Sequence, residues 1–224
     1  MSFQKSGSSR FFREDIYGYL FLLPWLSGFL FFTIGPVAAS LYLSFTKFDL
    51  LSAPRWAGVD NYVFMFTQDQ RFVSALSVTF LYLIFEVPLK LCFALLVAIA
   101  LDRTIRFGNF YRSIFYIPSL LGGSVAIAVL WRQLFQGDGT INRLLFDLTG
   151  IQGPSWISNP DTAVYTLVIL AVWQFGSPMI IFLAGLRQIP KDLYEAAEID
   201  GASKFRQFLS ITIPLLGPVI FFNL

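Results

Sequence analysis

The chain has 224 residues, of which 56% are hydrophobic, 18% aromatic and only 13% charged, and its mean hydropathy is +0.65. That is more apolar surface than a soluble fold of this size can hide, so the chain reads as a membrane protein. A formal charge of +2 with no basic run among aromatics excludes a nucleic-acid binder, and zero histidines with one cysteine exclude intrachain disulfides, Cys/His metal sites and Ser-His or Cys-His nucleophile pairs.

A membrane-spanning helix needs about 20 apolar residues to cross a hydrocarbon core of about 30 Å. The first candidate runs from about Tyr17 to Phe45, without a charge between Asp15 and Lys47, and Pro24, Gly28, Gly35 and Pro36 are expected to bend it. Lys5, Arg10 and Arg13 precede it as in a signal peptide, but the apolar run is too long for one, which predicts an uncleaved span. The second, about Phe72 to Leu101, contains Glu86 and Lys90, and its Cys92 reads as a small packing residue because apolar surroundings disfavour the thiolate.

The third candidate covers about Ser113 to Trp131 and carries Pro118 and Gly122-Gly123-Ser124. The fourth covers about Thr162 to Leu186 and is interrupted at Gly176-Ser177-Pro178; small residues of this kind let helices approach closely. A fifth opens near Pro214 with about ten residues before Leu224, too few to cross. The expected fold is an all-α, polytopic transmembrane bundle of four full spans plus a fragment, C-terminally truncated inside a membrane helix. Residues 1–16 form an N-terminal segment, 17–224 the membrane domain, and 187–214 a polar loop within it.

Lys and Arg set the orientation. With the N-terminus inside, segments 1–16, 102–112 and 187–208 hold ten of them and the outside loops 46–71 and 132–161 hold five. The outside loops carry six aspartates and several Gly and Pro turn residues, enough either to dock a partner or simply to connect spans.

The inner segment 187–214 is organised as an elbow. Pro190 suits a helix's first turn and Gly201 the position just past its end. Between them Ile189, Leu193, Ala196 and Ala197 form one apolar face and Asp192, Glu195 and Glu198 an acidic row at spacing three. Ser203 can cap a second helix in which Phe205, Phe208 and Leu209 face one way and Lys204 and Arg206 stay wet until Pro214. The acidic row disfavours an anionic lipid surface and points to docking on a protein.

At this point the residues resemble a family. Glu195-Ala196-Ala197, three residues, Gly201, nine residues, Ile211, one residue, Ile213 and Pro214 resemble the EAA loop of binding-protein-dependent ATP-binding-cassette (ABC) importers, with Ile213 in place of the usual leucine. Gly18-Tyr19-Leu20-Phe21-Leu22-Leu23-Pro24, Gly58-Val59-Asp60-Asn61-Tyr62 and Arg112-Ser113-Ile114-Phe115-Tyr116-Ile117-Pro118 are similar to carbohydrate-importer permeases of the maltose and glycerol-3-phosphate type.

The resemblance implies a type I importer permease fold, of which this chain lacks most of the fifth and all of the sixth core helix. It implies a bacterial cytoplasmic membrane, a second permease subunit, two cytoplasmic ATPase subunits that bind ATP and Mg, and an extracytoplasmic solute-binding protein docking around Asn61 and Asp138. It assigns Glu195 as the charged contact to the ATPase, Ala196 and Ala197 as packing surface, Gly201 as the joint and Pro214 as the motif's end. The chain itself is expected to be no enzyme and to bind no cofactor, and it has no G-x-x-x-x-G-K-[ST] loop.

Two further groups stand inside spans. Glu86 and Lys90, four apart with the acid N-terminal, are either a self-satisfied ion pair or the ion relay of a gradient-driven secondary transporter. Trp173, Gln174 and Ser177 are either packing residues or a sugar path, since aromatic faces stack on sugars and amides bond hydroxyls. Glu86 and Lys90 belong to the same possible path.

Overall fold

The computed structural model describes residues 8–102 and 108–224. Lys5, Arg103 and Arg106, counted above toward the inner charge bias, lie outside the described residues. The chain divides into two compact units, residues 1–74 and 75–224.

In the first unit α1 (Ser8–Phe29) passes through a π-helical turn, Leu30–Ile34, into α2 (Gly35–Ser44). The π turn has a cause in Pro36. A proline has no N–H and its ring clashes with the carbonyl four residues back, so the helix widens and the Gly35 N–H donates to Leu30 O, five residues back. The apolar stretch Tyr17–Ser44 is therefore continuous helix and long enough to cross a membrane.

Two short strands follow, β1 (Thr46–Lys47) and β2 (Arg55–Trp56), paired antiparallel, and then α3 (Asp60–Thr67). Asn61 ties this corner together by donating its Nδ2 to the carbonyls of Ser44 (2.8 Å) and Thr46 (2.9 Å). Phe45 packs on Trp56 and Tyr62, and the Ser44 hydroxyl lies 2.6 Å from Tyr62 Oη. In the tip, Asp49 accepts from the Ser52 hydroxyl and from the amides of Ser52 and Leu51, and the Ser52 bonds hold its carboxyl below the ordinary value.

The second span is the long helix α4 (Gln70–Asp102), which accommodates Pro88 without a break. Cys92, expected to be packed, lies on its exposed side. The third candidate is not one straight helix to Trp131: α5 (Gly108–Leu121) stops, and the segment Val125–Thr149, made of α6 (Val125–Phe135) and α7 (Thr140–Thr149), runs at 91° to it. Ser124 caps the new helix by accepting from Ile127 N, and Gly122 is where a Cβ would run into the Gln174 side chain.

The fourth span bends by 46° between α8 (Pro160–Trp173) and α9 (Gly176–Gln188). Its break falls at Gln174–Phe175, two residues before the interruption expected at Gly176-Ser177-Pro178. The core of this unit forms where α9 meets α4: Phe175, Met179, Phe182 and Leu183 cover Ala94, Ala98 and Leu101. Alanines four apart give α4 a small-residue face of the kind found at membrane-helix interfaces, and α9 comes close to α5. Gly176 permits that approach, since a Cβ there would stand 2.5 Å from Phe115 O and 2.8 Å from Tyr116 Cα.

Candidate functional site

The elbow is built by local signals in the chain. α10 (Lys191–Ile199) starts one residue later than expected, with Pro190 outside it in extended conformation at the N-cap. Proline biases the preceding residue away from helix, so α9 ends at Gln188 and Ile189 is extended. At the other end Gly201 takes φ +74°, its N–H donates to Glu198 O (3.0 Å) and the Ala202 N–H to Ala197 O (2.8 Å). This double bond pattern is a Schellman cap, which needs the left-handed conformation glycine adopts without steric cost.

Ser203 then caps α11 (Lys204–Gln207) by accepting from Arg206 N. Pro214 was expected to open the next span; it lies instead inside one continuous helical segment, Lys204–Leu215. A second π turn, Phe208–Thr212, precedes it, and the Ile213 N–H donates to Phe208 O. The arrangement repeats that before Pro36: a wide turn, one residue, then proline. α12 (Ile213–Leu215) carries Pro214, and the chain breaks by 63° only before α13 (Gly217–Asn223).

Three contacts fold the elbow back on itself. Tyr194 Oη lies 2.8 Å from Thr212 Oγ1, Lys204 pairs with Glu198, and buried Gln207 donates to Ala202 O at 3.1 Å. The buried residues of this segment are Gln207, Thr212 and Leu216, while Phe205 and Leu209, expected to share one face with Phe208, are exposed. In α10 the expected apolar face is divided. Tyr194 and Ala197 turn partly inward, and Glu195, Ala196 and Ile199 point out, Ile199 being 88% exposed.

Comparison with known proteins places the chain. Residues 67–224 match the family described as binding-protein-dependent transport system inner membrane component. The chain belongs to that family. A probable ABC transporter permease protein, YesP of Bacillus subtilis, is 49% identical over 221 residues, covering 99% of this chain and 71% of that protein. The arabinooligosaccharides transport system permease protein AraP of the same organism is 34% identical, over 93% of this chain and 66% of its own length. A crystal structure of a bacterial ABC transporter involved in the import of the acidic polysaccharide alginate matches with TM-score 0.75 and 25% identity, covering 94% of this chain and 71% of that chain. The permease is thus a polytopic helical bundle of the ABC-importer type, spanning about seven-tenths of its relatives' length.

The remaining sequence candidates fall in two places. Trp173, Gln174 and Ser177 sit together at the bend between α8 and α9. There the Ser119 hydroxyl donates to Gln174 O (2.9 Å) and accepts from the Ser177 N–H (3.0 Å), while Gln174 packs on Gly122. Trp173 and Trp131 have ring centroids 6.2 Å apart, and Trp131 Nε1 donates to Thr166 O. Glu86 and Lys90 make their ion pair with each other at 3.1 Å, both largely buried on α4.

Residues that sequence reasoning passed over organise the 137–156 loop. Asn142, 3% exposed, donates Nδ2 to the carbonyls of Gly137, Gly153 and Pro154, and its Oδ1 accepts from Trp156 Nε1 at 2.6 Å. Asp138 lines a shallow cavity of about 420 Å³ beside it, with its carbonyl accepting from Arg143 Nε.

Proposed function

We propose that this chain is a membrane subunit of an ATP-driven importer of a sugar or sugar derivative, in which the elbow transmits movement from an ATPase subunit to the membrane helices. The observation that carries the reading is the union of the Schellman-capped α10 with an uninterrupted helix through Pro214. A rigid arm fused to a membrane helix transfers displacement; a flexible loop would dissipate it. The outward stripe of Glu195, Ala196 and Ile199 offers one charge and a small apolar contact, the composition of a protein-docking surface.

The sugar enters from the relatives. Similar permeases are named for the transport of arabinooligosaccharides, lactose, and trehalose/maltose. In this reading the N-terminus and the elbow face the cytoplasm, as the Lys/Arg distribution requires. A second permease subunit completes the pathway, two ATPase subunits hold ATP and Mg, and an extracytoplasmic solute-binding protein docks on the loops around Asn61 and Asp138. A bacterial alginate ABC transporter of similar fold has been solved in complex with an alginate pentasaccharide-bound periplasmic protein. Trp173, Gln174 and Ser177 stand by the path.

A gradient-driven transporter working through Glu86 and Lys90 is the competing reading. The ion pair speaks against it, since each charge already has its counter-charge. Sugar uptake into vesicles by the assembled importer decides between them: uptake should require ATP inside and survive collapse of the ion gradients. Uptake that follows the gradient and ignores ATP would overturn the proposal.

A further inference from the structure

Between the elbow and the ends of α4 and α9 lies a cavity of about 730 Å³, within the size range of small-molecule sites. Its lining is mixed: Ile99, Leu186, Ile189 and Phe208 are apolar, Tyr194, Gln207 and Thr212 are polar, and Arg187, Lys191 and Lys204 are basic. Asp102 is the one acid among the described lining residues; it accepts from Arg187 Nε at 3.2 Å. Lys204 pairs with Glu198 outside the lining. Among the described residues no ion pair includes Lys191, which also stands at the first position of α10, where the helix's positive end adds to its charge.

Arg187, Lys191 and Lys204 outnumber the acids they meet, and none of the acidic row Asp192, Glu195 and Glu198 lines the cavity. Apolar side chains stand beside the cations, a combination that suits a ligand with an anionic head and an apolar body. A sugar supplies neither, and inorganic phosphate would leave the apolar side chains uncovered. We infer that the cavity holds the phosphate headgroup of an anionic phospholipid, seated between the elbow and the membrane helices. Basic pockets between helices at the cytoplasmic surface are suited to such headgroups. The inference rests on the proposed function only in placing the elbow at the inner leaflet. A bound headgroup there would brace the arm against α9 and make its stiffness depend on lipid composition.

Native mass spectrometry of the purified full-length protein, offered phosphatidylglycerol or phosphatidylcholine, tests this directly. The protein should retain phosphatidylglycerol preferentially, Lys191→Gln should lower that retention about fivefold, the effect of about 1 kcal/mol per cation near an anionic membrane surface, and Lys191→Arg should restore it. Lys191 is exposed, so neither variant threatens folding. Equal retention of the two lipids, or retention unchanged in Lys191→Gln, would overturn the site. Inorganic phosphate at millimolar concentration lacks the apolar body and should leave the lipid bound; its displacing the lipid would overturn the lipid as the source of the phosphate. The readout is lipid mass, so it holds or fails independently of whether ATP drives uptake.

Discussion

Tyr194 and Thr212 lie eighteen residues apart in sequence and 2.8 Å apart through their hydroxyls, closing α10 onto the π turn that precedes Pro214. With the Lys204–Glu198 pair and the Gln207–Ala202 bond, this contact holds α10 against the second helix, because the cap fixes the turn but not the angle at which α10 returns. Tyr194→Phe removes one hydrogen bond, worth about 1 kcal/mol, while keeping the ring. The expected outcome in the assembled importer is near-normal ATP hydrolysis with less sugar moved per ATP. An unchanged ratio would mean that the hydroxyl pair does not set the arm.

Gly201 gives a sharper separation. A β-branched residue at φ +74° costs on the order of 1–2 kcal/mol, whereas Asn tolerates the left-handed region. No heavy atom lies within 4 Å of where a Cβ would stand, so the penalty is conformational and not steric against a neighbour. Gly201→Val should uncouple hydrolysis from uptake and Gly201→Asn should retain most of the coupling. Equal loss in both variants would point to a contact with glycine itself instead of to the cap.

Much of this was legible in the chain. Apolar runs marked four full spans and a fragment of a fifth, of which the structure keeps two as continuous helices and bends the others, and Pro190, Gly201 and Ser203 marked the elbow because capping is decided within a few residues. The 91° bend at Gly122 was not legible, since glycines in an apolar run barely alter hydropathy and their use depends on Gln174, fifty-two residues away. Pro214 misled for a related reason: proline marks a helix start in isolation, but a π turn upstream lets it sit inside one. Asn142 resembles any polar residue on an amphipathic helix until the 150s fold over it.

The close approach of α5 and α9 rests on Gly176. A methyl group there meets backbone at 2.5 and 2.8 Å, and backbone cannot turn aside as a side-chain tip can. Gly176→Ala should therefore separate the helices and destabilise the bundle by about 1–3 kcal/mol, visible as a lower midpoint in detergent unfolding. Gly123→Ala, where no atom lies within 4 Å of the added carbon, is the matched control and should have little effect.

Asn142 predicts a local failure. Asn142→Ala leaves the carbonyls of Gly137, Gly153 and Pro154 and the Trp156 N–H without their partner, at a cost of about 1–3 kcal/mol. The loop should become protease-sensitive between 137 and 156 while the spans remain protected. Since the proposed docking surface of the solute-binding protein includes Asp138, the same variant should raise the concentration of binding protein needed to stimulate ATP hydrolysis, with basal hydrolysis unaltered. Sensitivity spread evenly along the chain would show that Asn142 supports more than its own loop.

Glu86 and Lys90 separate structure from relay by a double substitution. Removing one partner strands the other charge in a largely buried position, so Glu86→Gln or Lys90→Met alone should destabilise by on the order of 2 kcal/mol, allowing for their residual exposure. Changing both removes both charges and leaves nothing uncompensated. The pair's worth to folding is thus small even though each single loss is large, and Glu86→Gln/Lys90→Met should recover stability and ATP-driven uptake together. A double variant that folds as the parent does yet transports nothing would assign the charges to the pathway and revive the ion-relay reading.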